Sequence, residues 1–216
     1  QYLDDLARAR EAVGPSAPQI DKLRVFFNHP GFIEPMAERV ADAYAQIPEE
    51  RRAAAPLVFT AHSIPVSMAE SSAYFAQLHE ACRLVAERAG HAAWRLAWQS
   101  RSGPPSQPWL EPDVGDLLVE MHGNQPLADV VLAPIGFLSE HMEVIYDLDV
   151  EIASLCETLQ INLVRTALVS AHPRFVQMIL ELIVERLDPA ALRRALGSMG
   201  VSPDVCPPDC CRPRAR

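Results

Sequence analysis

The sequence predicts an α/β domain, a parallel sheet wound with helices. Three observations point there. A short apolar run the length of a buried strand lies at 57–61, and 94–99, 129–134 and 162–169 read as further strands. Longer segments of helical character follow them, at 67–88, 113–121, 139–159 and 173–187. Hydrophobic residues make up 49% and charged residues 22% of the 216, which excludes a disordered or collagen-like chain. Strands alternating with helices require right-handed crossovers, and these give a parallel sheet covered on both faces.

Each element has its own justification. Residues 3–12 and 34–46 carry helical periodicity, with Gly14-Pro15 and the loop His29-Pro30-Gly31 between them. A charged linker at 48–56 ends in Pro56, and the first strand follows. The helix over 67–88 places Met68, Phe75, Leu78, Cys82 and Val85 broadly on one side. A loop rich in Gly, Pro and Ser fills 100–112. Ser139 is suited to cap the helix over 139–159. Pro173 fits the first turn of the last helix. The chain therefore divides into linking helices at 1–53, an α/β domain at 54–196 and an irregular cysteine-rich tail at 197–216.

The net charge is −9, which argues against a nucleic-acid partner, since such partners favour basic patches. No apolar run approaches the roughly 20 residues of a membrane helix. Of the five cysteines, Cys82 and Cys156 sit in apolar helical patterns, as small buried hydrophobes do. Cys206, Cys210 and Cys211 crowd into six residues. An odd, clustered set makes a poor disulfide framework and fits a cytoplasmic protein with a terminal metal or cluster site.

Open parallel sheets bind ligands beyond the carboxyl ends of their strands. Here those ends carry Ala61-His62-Ser63-Ile64-Pro65, Gln99-Ser100-Arg101-Ser102-Gly103 and Gly136-Phe137-Leu138-Ser139 with Glu140-His141-Met142-Glu143. His62 suits proton transfer or metal ligation, and equally suits a hydrogen-bonding cap on the next turn. Ser63 lacks the Gly-x-Ser-x-Gly context of a hydrolase nucleophile. Glu143, Asp147 and Glu151 recur every four residues, which puts three carboxylates on one helical stripe. Such a stripe either faces solvent or passes a hydrated divalent ion along its oxygens. His141 and Glu143 point about 200° apart on a regular helix. If both face the cleft, the helix start must be irregular, and a π-type bulge is expected there.

Together these segments resemble the ferrochelatase family. The blocks are Phe59-Thr60-Ala61-His62-Ser63-Ile64-Pro65, then Trp98-Gln99-Ser100-Arg101 with Pro108-Trp109-Leu110-Glu111-Pro112. The third is Pro134-Ile135-Gly136-Phe137-Leu138-Ser139-Glu140-His141-Met142-Glu143, continuing Val144-Ile145-Tyr146-Asp147-Leu148-Asp149. The chain looks most like the actinobacterial coproporphyrin III ferrochelatases. The resemblance implies a class II chelatase fold of two Rossmann-like halves, with residues 1–216 forming the C-terminal half and its linking helices. The N-terminal half would be missing, and the piece alone would be inactive.

The resemblance also implies the chemistry. The activity would be that of a lyase of haem biosynthesis, inserting Fe2+ into a porphyrin and releasing two protons. Coproporphyrin III is favoured over protoporphyrin IX. The family's essential histidine falls on His62, as proton acceptor or iron ligand, and its essential glutamate on Glu143. His141, Asp147 and Glu151 match further metal-handling positions. Glu140 departs from the family's usual aspartate, and His172 matches no fixed histidine. Cys206, Cys210 and Cys211 match three ligands of a [2Fe–2S] cluster whose fourth ligand would lie before Gln1. A monomer in the cytoplasm without membrane insertion is expected. The alternatives are a non-catalytic tetrapyrrole- or metal-binding module and a chelatase for cobalt or nickel.

Overall fold

The structure is a computed structural model and describes residues 2–207. Two helices, α1 (Tyr2–Val13) and α2 (Pro30–Ala45), precede a short α3 (Glu49–Arg52) and the first strand β1 (Leu57–His62). Then come α4 (Val66–Glu70), α5 (Tyr74–Ala89), β2 (Trp94–Gln99), α6 (Val114–Asn124) and β3 (Asp129–Ala133). A single rod follows, formed by α7 (Met142–Val144), a π-helix (Ile145–Ile152) and α8 (Ala153–Thr158). Strand β4 (Asn162–Arg165) and helix α9 (Pro173–Leu187) complete the fold.

The four strands are parallel, in the order β2-β1-β3-β4. The expected α/β class and parallel sheet are therefore present. Alternation along β1 explains the two layers. Leu57 and Phe59 face a cluster with Ile33, Met36 and Val40 of α2, with α5 and with α9. Val58 faces the opposite cluster with Leu118 of α6, Leu148 of the π-helix and Cys156 of α8. A strand buried on both sides reads as an unbroken apolar run. Full burial of a side chain such as Phe59, which is 0% exposed, contributes about 1.5–3 kcal/mol.

Three local details differ from the sequence expectation. The helix over 67–88 is two helices, broken between Glu70 and Tyr74. The last strand stops at Arg165. Ser139 caps nothing: the helix starts at Met142, and the N-cap position is His141, whose backbone is extended and whose side chain makes no capping bond. Side-chain caps act at other helix starts, where His29 accepts from the Gly31 amide, Asp113 from the Gly115 amide and His172 from the Arg174 amide.

The segment after α9 is strapped to the core by buried polar groups. Arg24 pairs with Glu185 through Nε and Nη2 at 2.6 and 3.0 Å, and Nη2 also donates to the Arg194 carbonyl. Asn28 donates to the carbonyls of Leu196 and Gly200. Burial alone pushes the Glu185 carboxyl up, and its bonds from Arg24 outweigh that, leaving it below its ordinary value.

Candidate functional site

Sheet register builds the rim. His62, the last residue of β1, lies beside Gln99, the last of β2. Gly136 follows β3 and presses against Ala61, and its amide donates to the Thr60 carbonyl at 3.1 Å. This close approach carries the chain from β3 across the end of β1 towards Glu143.

His62 and Glu143 meet here. Nε2 of His62 stands 3.2 Å from Oε1 of Glu143, and both side chains are partly exposed. Nδ1 of His62 lies 2.5 Å from the Ser63 carbonyl, which can only accept, so Nδ1 carries the proton in the neutral ring. Nε2 then presents a lone pair to a carboxylate. Two acceptors at that distance attract only with a proton or a cation between them. The backbone behind is fixed. Tyr74 donates to the His62 carbonyl at 2.8 Å, and burial pushes the Tyr74 phenol up to about 12. Ser63 is 2% exposed and donates to the Leu110 carbonyl, so its hydroxyl is a structural tie.

The other sequence-selected residues fall around this pair. His141 is exposed, with its ring 5.4 Å from that of Phe137. Its extended backbone, outside the helix, removes the angular conflict with Glu143. The π-helix that follows begins at Ile145, two residues beyond Glu143 rather than at it. Its i→i+5 winding widens the turn, which brings residues four apart closer to alignment than an α-helix does. Asp147 accepts from Gln99 Nε2 at 3.1 Å and from the Ser100 hydroxyl. Asp147 and Glu151 line a cavity of about 250 Å³ with Gln99, Ser100, Arg101 and Asp113. Burial raises the Asp113 carboxyl above its ordinary value.

Glu140 and Asp149 act differently from the stripe. Both accept from Arg165, Asp149 through two bonds of 2.6 and 2.9 Å and Glu140 at 3.1 Å. They anchor the start of the rod to β4. Sequence reasoning missed the apolar company of the acidic residues: Met142, Tyr146 and Val150 are 80%, 53% and 51% exposed. Each precedes one carboxylate of the stripe, so the one-residue offset was the available signal.

A wider hollow of about 770 Å³ opens at the amino ends of β1 and β2. Its lining has one imidazole, His91, stacked on Tyr44, and no carboxylate. Among the described residues, no group of three or more His, Cys, Asp or Glu side chains stands close enough to hold a metal. Cys206 is a partly exposed free thiol, while Cys210 and Cys211 lie outside the described residues. Cys82 and Cys156 are buried, and burial raises both thiols, Cys156 to about 11. Neither suits a thiolate ligand. The described residues thus provide one of the four thiolates an iron–sulfur cluster normally requires.

The fold and rim define a Rossmann-like α/β domain with a histidine–carboxylate pair at the carboxyl edge of its sheet. Residues 1–187 match the family model described as Ferrochelatase, and the chain belongs to that family. It is 50% identical over 211 residues to the "Ferrochelatase" of Rhodopirellula baltica, covering 98% of this chain and 60% of that protein. It is 48% identical over 200 residues to the "Coproporphyrin III ferrochelatase" of Mycolicibacterium smegmatis, covering 91% and 58%. A third relative, the "Coproporphyrin III ferrochelatase" of Streptomyces griseus, is 44% identical over 237 residues, with coverage of 100% and 63%. The chain spans about three fifths of the length of these curated relatives.

Proposed function

We propose that this chain supplies the metal-inserting wall of a porphyrin ferrochelatase in haem biosynthesis. The observation that carries the reading is the His62–Glu143 pair, 3.2 Å apart on the ligand-binding rim. Metallation removes two pyrrole protons and admits one divalent ion. A lone pair and a carboxylate facing each other can take a proton between them or flank the ion. Two donors each about 2.1 Å from an ion and at right angles lie about 3.0 Å apart, close to the spacing here. His62 accepts a pyrrole proton or ligates iron, and Glu143 takes the complementary role. Asp147 and Glu151 deliver Fe2+, the metal substrate, with His141 beside the entrance. Met142, Tyr146 and Val150 offer apolar surface to a flat macrocycle.

Coproporphyrin III is the favoured substrate, in keeping with the names of two relatives. Residues 54–196 form the chelatase domain, 1–53 link it to further chain, and the full-length enzyme is a cytoplasmic monomer. Residues 1–216 alone do not turn over. In the full-length protein, Cys206, Cys210 and Cys211 hold a [2Fe–2S] cluster with one further thiolate. Iron and acid-labile sulfide, each at two per chain in anaerobically purified protein and lost in Cys206→Ser, would establish it; none in the parent would remove it.

The test is anaerobic addition of Fe2+ to coproporphyrin III with a chain carrying these residues at the length of its relatives. A metalloporphyrin spectrum should form with the parent and not with His62→Ala or Glu143→Gln. Porphyrin binding without metallation in the parent would refute the reading and leave a tetrapyrrole carrier. Metallation by Co2+ or Ni2+ but not Fe2+ would refute the metal.

A further inference from the structure

Ser100 stands in a conformation that serine rarely adopts. Its φ is 61°, in the left-handed region where a Cβ is disfavoured and glycine is free of strain. Backbone strain of this kind persists where surrounding structure uses it. What serine adds over glycine is a hydroxyl, and that hydroxyl donates to Oδ2 of Asp147.

Gln99 converges on the same atom. Its Nε2 donates to Asp147 Oδ2 at 3.1 Å, and the residue is 2% exposed. Its Oε1 is buried without a hydrogen-bond partner, in a residue lining the cavity shared with Asp147 and Glu151. A buried acceptor left unpaired is costly, so this oxygen calls for a donor. The water shell of a divalent ion held by the carboxylates is such a donor. Both donors occupy Oδ2, and among the described residues no hydrogen bond reaches Asp147 Oδ1.

We propose that Ser100, with Gln99, is a positioning residue for the incoming hydrated divalent ion. The two donors fix one oxygen of Asp147 and leave the other to bind the ion and pass it towards Glu143. The inference rests on the proposed reading of Asp147 as part of the metal path.

A tie that merely held the loop and a tie that positions Asp147 make opposite predictions for Ser100→Gly. Glycine relieves the left-handed backbone and removes the hydroxyl. In the full-length protein, Ser100→Gly should melt no lower than the parent. Its KM for Fe2+ should rise about tenfold, the effect of one lost hydrogen bond to a charged group, with kcat and porphyrin KM unchanged. Ser100→Asn tolerates the same backbone and restores a donor, so it should recover much of the loss. An unchanged KM for Fe2+ in Ser100→Gly would overturn the proposal, as would a change confined to porphyrin KM. Should the parent fail to metallate any porphyrin, the functional reading falls, and Mn2+ titration followed by electron paramagnetic resonance still decides. Weaker Mn2+ binding by Ser100→Gly supports positioning, and equal binding, or none by either, refutes it.

Discussion

Replacing Gly136 with alanine tests whether the close approach of β3's exit to β1 sets the His62–Glu143 geometry. A Cβ at Gly136 would lie 2.6 Å from the Ala61 Cβ and 2.8 Å from its Cα. Carbon atoms pack at about 3.5–4.0 Å, so the two segments must part by about 1 Å. Neither side yields easily. β1 is paired on both edges, and Ala61 is 0% exposed. Overpacking of this kind costs about 1–3 kcal/mol. For a chain of this size about 2 kcal/mol lowers the melting temperature by about 4–8 °C. The larger effect should be on turnover, because Ala61 precedes His62 and Gly136 leads towards Glu143. A 1 Å misplacement of reacting groups costs about 100-fold. The assay pairs thermal unfolding of residues 1–216 with anaerobic metallation of coproporphyrin III by a chain carrying the same substitution at the length of its relatives. Ala61→Gly in the same chain removes the nearer contact and should restore part of both losses. Gly136→Ala with the parent's melting temperature and rate would refute the packing argument.

Other predictions follow from the buried polar groups. Arg24→Met leaves buried Glu185 without its two hydrogen bonds, with only Arg193 Nε at 3.6 Å beside it, and should destabilise by about 3 kcal/mol; adding Glu185→Leu should return most of that, read from urea unfolding midpoints. Because Glu185 titrates below its ordinary value when folded, its contribution is complete above about pH 4.5 and fades as pH falls through the folded value. Arg24→Met removes the bonds that outweigh burial, so that acid dependence should shrink or reverse sign. His29 is lowered, first by burial and then by Arg24, and its Nδ1 already accepts from the Gly31 amide at 3.0 Å. The unfolded chain therefore takes up the proton first, so stability should be flat above about pH 6.5 and fall below it. The loss from His29 reaches at most about 1.4 kcal/mol per pH unit. His29→Asn keeps an N-cap acceptor and loses the titration, so its denaturation midpoint should depend less on pH between 5 and 6.5. An identical pH dependence in parent and variant would sink that account.

What the sequence determined by itself is what chain-local physics controls. Burial on both faces makes strands read as apolar runs, so β1 and β3 were visible; edge strand β2, with Arg95 exposed, was visible through Trp94, Leu96, Ala97 and Trp98, and the proline and glycine punctuation gave the loops. Ordered motif blocks carried His62 and Glu143 and the family to which the chain belongs. Element ends were less legible: Ser139 has a capping side chain, yet the chain near it follows the contacts of Gly136 and Arg165 instead. Only the tertiary structure decided which residues share an atom. Asp147 meets Gln99 and Ser100 because register sets the end of β2 beside the end of β1 and the π-helix carries Asp147 across both. Likewise, the sequence does not say that Arg24 and Glu185, 161 residues apart, close on each other, or that His62 has one nitrogen committed to Ser63 and the other to Glu143. Periodicity records which face of an element is apolar, whereas these pairings depend on how separate elements dock, and that is fixed by packing between segments far apart in the chain.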